Sequence, residues 1–149
     1  MFEMEIQIAL PDPPRTGPAA GAMPQNAVDP SEKLLGRRVL IVEDEALVAM
    51  DLQFAFEDAG AEVLGPAMSL SDALALAEHA PEIDCALLDV NIAGRDVYPV
   101  AQMLQRRGIP FIFHTGHGSG LVHCAMFPGA ITCLKPTLPE KLIDLLAGL

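Results

Sequence analysis

The sequence predicts an α/β fold, a parallel sheet covered by helices on both faces, and three observations carry that prediction. From Arg38 onward, short apolar runs alternate five times with longer segments of helical period. Four of the five apolar runs give way at once to polar side chains, as strands buried on both faces do where they leave the sheet. At 149 residues and 51% hydrophobic, the chain has enough material for one domain with a real core and not for two comfortable ones.

The elements follow in order. The first strand is read over 39–42 (VLIV), and the helix over about 45–59 places Val48, Leu52, Phe56 and Ala59 on one face before stopping at Gly60. The second strand is 62–64. Ser69 with Asp72 three residues later has the form of a capping box and opens a helix that buries Ala73, Leu76, Ala77 and Ala80. The third strand, 85–88, precedes a helix entered through Pro99, carrying Val100, Ala101 and Leu104, and ending at Arg106-Arg107-Gly108, where cations and a glycine suit a helix C-terminus. The fourth strand is 110–114. The helix after it is the weak one, because Gly116, Gly118, Gly120, Gly129 and Pro128 leave little room for three turns; it is expected to be short and mobile, which suits a switch surface and equally a glycine-rich loop with no such role. The fifth strand is 131–134, and the last helix runs over 139–146.

Residues 1–36 differ from the remainder, 37–149, which forms the domain. Phe2, Met4, Ile6, Ile8 and Leu10 alternate with Glu3, Glu5, Gln7 and Ala9, the two-residue period of a possible extra strand over 2–10. A lone strand of this kind needs a sheet edge, of this domain or of a second copy in a homodimer. Pro11, Pro13, Pro14, Pro18, Pro24 and Pro30, mixed with glycine and alanine, make the stretch that follows a linker.

A net charge of −11, with paired basic residues only at Arg37-Arg38 and Arg106-Arg107, argues against a nucleic-acid partner. The lack of any run of 18 apolar residues and an acidic start, Met1 to Glu5, argue against a membrane span and a signal peptide, so a cytoplasmic protein is expected. Three cysteines without paired spacing fit a reducing compartment, and Cys85 and Cys133 read as core residues.

In an open α/β sheet the ligand site forms at the carboxyl ends of the strands. There the first strand delivers Glu43 and Asp44, the third Asp89, the fourth Thr115 and the fifth Lys135. Carboxylates brought to within about 5 Å repel by roughly 3 kcal/mol per pair at an effective dielectric near 20, and a cation relieves this. Hard oxygen ligands in such small number hold Mg²⁺ in the usual way, with water and phosphoryl oxygen completing the shell. Asp89 is then a nucleophile toward a phosphoryl donor, Lys135 neutralises the transferred group, and Thr115 donates a hydrogen bond to it. Taken singly, a Glu-Asp pair is as often a helix cap, an Asp after an apolar run a turn residue, and a Lys a solvated charge. Their common position at the strand ends is what favours the functional reading.

The blocks VLIVEDE (39–45), ALLDVNIAG (86–94), FHTGHG (113–118) and LKP (134–136) resemble the signature blocks of response-regulator receiver domains, over nearly all of 38–149. The resemblance implies a flavodoxin-like three-layer fold with strand order 2-1-3-4-5. It implies that Glu43 and Asp44 are the acidic metal pair, Asp89 the phosphorylated aspartate, Asn91 the residue whose backbone carbonyl completes the Mg²⁺ site, Thr115 the switch hydroxyl and Lys135 the family's lysine, followed by a cis bond to Pro136. It further implies a phosphoacceptor signalling protein and not an enzyme in its own right. Its partners would be a sensor histidine kinase or histidine phosphotransfer protein and a downstream protein, or it would act as a phosphate sink. With the chain ending eleven residues after Leu138, no output domain is expected to follow.

Receivers usually carry an aromatic residue three positions before the lysine, where this chain has Thr132. FHTG is similar to the Phe-Ala-Thr-Gly subgroup, which also lacks that aromatic and signals through the fourth helix and its preceding loop. Two other readings compete. A haloacid-dehalogenase-type phosphohydrolase also uses a strand-end aspartate but expects a second Asp where Asn91 stands. A receiver fold that serves only as an interaction module would not need the five site residues. His114, His117, His123 and Cys124 have spacings that zinc accepts, but histidines without a metal explain them more simply.

Overall fold

In the computed structural model, which describes residues 29–116 and 125–149, strands and helices alternate along the chain. They are β1 (Arg38–Val42), α1 (Ala46–Asp58), β2 (Glu62–Ala67), α2 (Leu70–His79), β3 (Cys85–Leu88), a short antiparallel pair β4 (Asn91–Ile92) and β5 (Arg95–Asp96), α3 (Tyr98–Arg106), β6 (Phe111–Thr115), β7 (Ile131–Leu134) and α4 (Pro139–Ala147). The five long strands form one parallel sheet in the order β2-β1-β3-β6-β7. Counted among themselves they run 2-1-3-4-5, as expected. The extra strand over 2–10, the proline-rich linker up to residue 28 and most of the weak helix after β6 lie outside the described residues.

The central strands are apolar on both faces because each face has its own core. Leu40 and Val42 of β1 join Ala86, Leu88 and Phe113 in a cluster closed by α2 and α3, while Val39 and Ile41 join Leu87 and Ile112 in a second one closed by α1 and α4. Each of the larger side chains contributes on the order of 1.5–3 kcal/mol by leaving water. Leu34, within the stretch read as an extension, is fully buried in the second cluster, and the backbone bonds Leu34 N–H to Ala59 O and Gly36 N–H to Gly60 O hold it there. The Leu34-Leu35 pair, between polar residues and a glycine, has no helical or strand period to mark it as core. Cys85 and Cys133 are buried, and burial pushes both thiols up, away from the reactive thiolate.

Two strands differ from the expected bounds in ways that bear on the site. β2 continues through Gly65-Pro66 to Ala67, with a register shift opposite Leu40 and Val42. Gly65 has φ +93, and a Cβ there would stand 2.5 Å from the Ala67 nitrogen, so the irregular passage depends on glycine. β6 begins at Phe111 and takes in Thr115, which pairs with Leu134.

Ser69 accepts a hydrogen bond from the Asp72 N–H at 3.1 Å and caps α2 as read. At the other end of that helix Arg107 donates to Ala77 O at 2.7 Å, Ala80 O at 2.9 Å and Pro81 O at 3.3 Å. One guanidinium thus ties the end of α3 to the last carbonyls of α2. Arg107→Ala is expected to lower stability by about 1 kcal/mol, measured as a shift of the urea midpoint without a change of slope; an unshifted midpoint would show these bonds to be replaced by water at no cost.

Candidate functional site

The sheet ladder continues one residue beyond three strands and so fixes three side chains at its carboxyl edge. Glu43 N–H donates to Ala67 O at the end of β2, Asp89 N–H to Val42 O at the end of β1, and Lys135 N–H to Thr115 O at the end of β6. Apolar strands therefore do more than pack: their register decides which polar residues meet.

Glu43, Asp44 and Asp89 each offer a carboxylate oxygen within 4.8 Å of the others, the one such cluster of potential metal ligands among the described residues. Lys135 reaches into it, with Nζ 2.7 Å from Glu43 Oε2, 2.9 Å from Asp89 Oδ2 and 3.3 Å from Glu45 Oε1. The Glu43 side chain is only 2% exposed and that of Asp89 9%. Burial pushes the Glu43 carboxyl up to about 7, against hydrogen bonds from Lys135 and the Glu45 N–H that pull it down, with the Asp89 charge pushing the same way as burial. Burial also acts to lower Lys135, but its hydrogen bonds to Glu43 and Asp89 outweigh that and hold the ammonium above its ordinary pKa. Several carboxylates around one ammonium leave a surplus of negative charge, and hard oxygens of this kind are the donor set of Mg²⁺.

Asp44 accepts from the Ala93 N–H at 2.8 Å, Asp89 from the Asn91 N–H at 3.2 Å, and the Asn91 side-chain oxygen from the Gly94 N–H at 3.0 Å. These bonds are organised by the β4–β5 hairpin, whose two central residues, Ala93 and Gly94, both have positive φ, 51° and 84°. A two-residue turn of that conformation suits the twist of an antiparallel pair. Asn91, Thr115 and Gly116 border the same open pocket as Asp44, Asp89 and Lys135. Thr115 is 3% exposed. The Lys135-Pro136 bond is cis, as the resemblance implied.

All the residues singled out beforehand, Glu43, Asp44, Asp89, Asn91, Thr115 and Lys135, are thus brought to one place. Missed were Glu45, a further carboxylate on Lys135, and the hairpin; the Ala-Gly pair between short polar runs was the available signal for the second. Thr132 lies opposite Phe113 in the ladder with its hydroxyl buried and unpaired. On that face Tyr98, Phe111, Phe113 and Phe127 form an aromatic cluster with ring centroids 5.3–6.4 Å apart. His114 is buried at 3% exposure; His117, His123 and Cys124 lie outside the described residues.

The family profile described as "Response regulator receiver domain" matches residues 39–147. The transcriptional regulatory protein PdtaR of Mycobacterium tuberculosis is 37% identical over 111 residues, covering 72% of this chain and 53% of that relative. The phyllosphere-induced regulator PhyR of Methylorubrum extorquens is 32% identical over 111 residues, 72% of this chain and 41% of the relative. Among solved structures, the response regulator PhyR from Brucella abortus superposes with a TM-score of 0.63 at 32% identity, over 74% of this chain and 46% of that one. The chain spans about half the length of these relatives or less.

Proposed function

The chain belongs to the response regulator receiver family, and from that membership together with the site geometry we propose that Asp89 accepts a phosphoryl group from a phosphohistidine donor. The observation that carries the proposal is the Asp89 carboxylate itself, nearly buried, one oxygen held 2.9 Å from Lys135 Nζ and within 4.8 Å of the Glu43 and Asp44 carboxylates. A carboxylate oxygen of Asp89 forms a bond to phosphorus as the N–P bond of the donor breaks and the imidazole leaves with the electron pair. Glu43, Asp44 and Asp89, with Asn91, are the residues that would hold Mg²⁺, which when bound supplies positive charge against the phosphoryl oxygens. Lys135 offsets negative charge on the incoming group, and the Thr115 hydroxyl donates to it. The added charge, about −1.5 to −2, draws on the same donors and biases the segment after β6 toward a new arrangement.

A histidine kinase or histidine phosphotransfer protein is the donor in this reading, and a downstream protein, or competition for the kinase's phosphate, is the output. We place the protein in the cytoplasm; none of the described helices is long and apolar enough to cross a membrane. Support for a signalling role over hydrolysis comes from Asn91, whose side-chain oxygen is engaged by Gly94 and which offers no acid or base.

Treatment with acetyl phosphate and Mg²⁺, followed by phosphate-affinity electrophoresis, is expected to give a retarded band that hydroxylamine removes and EDTA prevents. A band that resists hydroxylamine, or no band with either acetyl phosphate or a phosphorylated kinase, would defeat the proposal.

A further inference from the structure

Phosphotransfer makes no use of His114. The ring lies on β6, opposite Cys133, on the sheet face covered by α1 and α4. It is 3% exposed, and neither Nδ1 nor Nε2 has a hydrogen-bond partner. Burial, aided by the Lys135 charge and opposed by Asp89, lowers its pKa to about 4, so at neutral pH the ring carries one N–H and one lone pair, both unmet. Buried polar groups are nearly always satisfied, and one that is not calls for an explanation.

The ring borders a cavity of about 440 Å³ between α1 and the segment joining β7 to α4. That volume is in the range of small-molecule sites. Val48 and Leu52 of α1 face Pro136 and Pro139 across it, giving apolar walls, while Glu45 and Asp51 contribute carboxylates. Lys135, the cation of the lining, is already shared among Glu43, Glu45 and Asp89. The neighbourhood is therefore short of positive charge. Among the described residues His114 belongs to no group of three ligands close enough to share an ion, and apolar walls beside carboxylates suit an organic cation.

We propose that this cavity binds a small organic amine as its ammonium, the apolar body against Val48, Leu52, Pro136 and Pro139 and the head donating to Asp51, Glu45 and the lone pair of His114. A rotation about χ2, which is soft for an imidazole, turns a ring nitrogen from behind the wall into the cavity. The site lies beside the phosphoacceptor pocket and shares Glu45 and Lys135 with it, but binding there does not require Asp89 to be a phosphoacceptor.

The test is NMR titration of the full chain, following the Val48 and Leu52 methyls and the His114 ring, with benzylamine, benzyl alcohol and benzoate as probes. Benzylamine is expected to saturate with a Kd of about 1 mM, the alcohol to bind about tenfold more weakly, and benzoate not to bind. Asp51→Asn should weaken benzylamine about tenfold while leaving the alcohol and phosphorylation by acetyl phosphate unchanged, and His114→Leu should abolish the preference for the amine. Absence of a saturable shift with benzylamine, equal affinity for all three probes, or an unaltered amine affinity in Asp51→Asn would each overturn the proposal.

Discussion

Lys135→Met is expected to destabilise the metal-free protein by about 3 kcal/mol at neutral pH, whereas Asp89→Asn is expected to stabilise it by about 1–2 kcal/mol. The lysine side chain is 17% exposed, and its ammonium is the cation standing between Glu43, Glu45 and Asp89. Methionine preserves most of the stem and its packing but removes the donor that holds the Glu43 carboxyl, 2% exposed, down against burial, and takes from Asp89 its countercharge, so Glu43 is driven to its protonated form at the expense of both ion pairs. Breaking a buried pair from one side is costly for that reason. Removing the Asp89 charge works in the opposite sense, since it relieves the crowding with Glu43 and Asp44, and Lys135 keeps two of its three carboxylates. Urea denaturation in EDTA reads both effects, and Asp89→Asn should in addition show no retarded band with acetyl phosphate. If the two substitutions moved the midpoint in the same direction, the lysine would not be what holds the cluster together.

The fold and the site were legible in the sequence for the same reason: strands buried on both faces read as unbroken apolar runs, and the first polar residue after three of those runs is the one the ladder carries to the sheet edge. Glu43, Asp89 and Lys135 are such residues, each tied by its own N–H to the neighbouring strand. What escaped depended on partners remote in sequence or on backbone shape. Leu34 packs under α1 and α4 with no periodic neighbours to announce it, and the passage of β2 through Gly65-Pro66 looks in sequence like the end of a strand. Glu45 carries no local signal beyond the start of a helix; its bond to Lys135 spans 90 residues. The aromatic face that accompanies Thr132 draws on Tyr98, Phe111, Phe113 and Phe127, and Phe111 and Phe113, two apart on one strand, were the trace of it available beforehand.

His114 and Glu43 together yield a pH dependence that the wild type conceals. Glu43 titrates at about 7 in the fold and near 4.5 outside it. The folded state therefore holds its proton more tightly, and the stability this contributes is complete below about 4.5 and lost as pH rises through 7, roughly 3 kcal/mol in all. His114 has the opposite sign: with a folded value of about 4 against 6.5, its contribution is present above 6.5 and lost as pH falls toward 4, again roughly 3 kcal/mol. Lys135, raised above an already high pKa, is charged throughout this window and adds no slope. Between about pH 4.5 and 6.5 the two groups cancel. In EDTA, Glu43→Gln should consequently gain stability relative to wild type as pH rises through that interval, and His114→Leu should lose it, while starting from a gain at acid pH because its two unmet ring nitrogens are gone. The double variant should parallel wild type. Mg²⁺ should abolish the falling slope of His114→Leu and release a proton on binding near pH 7, since a ligand carboxyl must be ionised to coordinate. Thermal or urea unfolding across the pH series measures the slopes, and single variants that both follow the wild-type curve would show that neither group is perturbed as its burial requires.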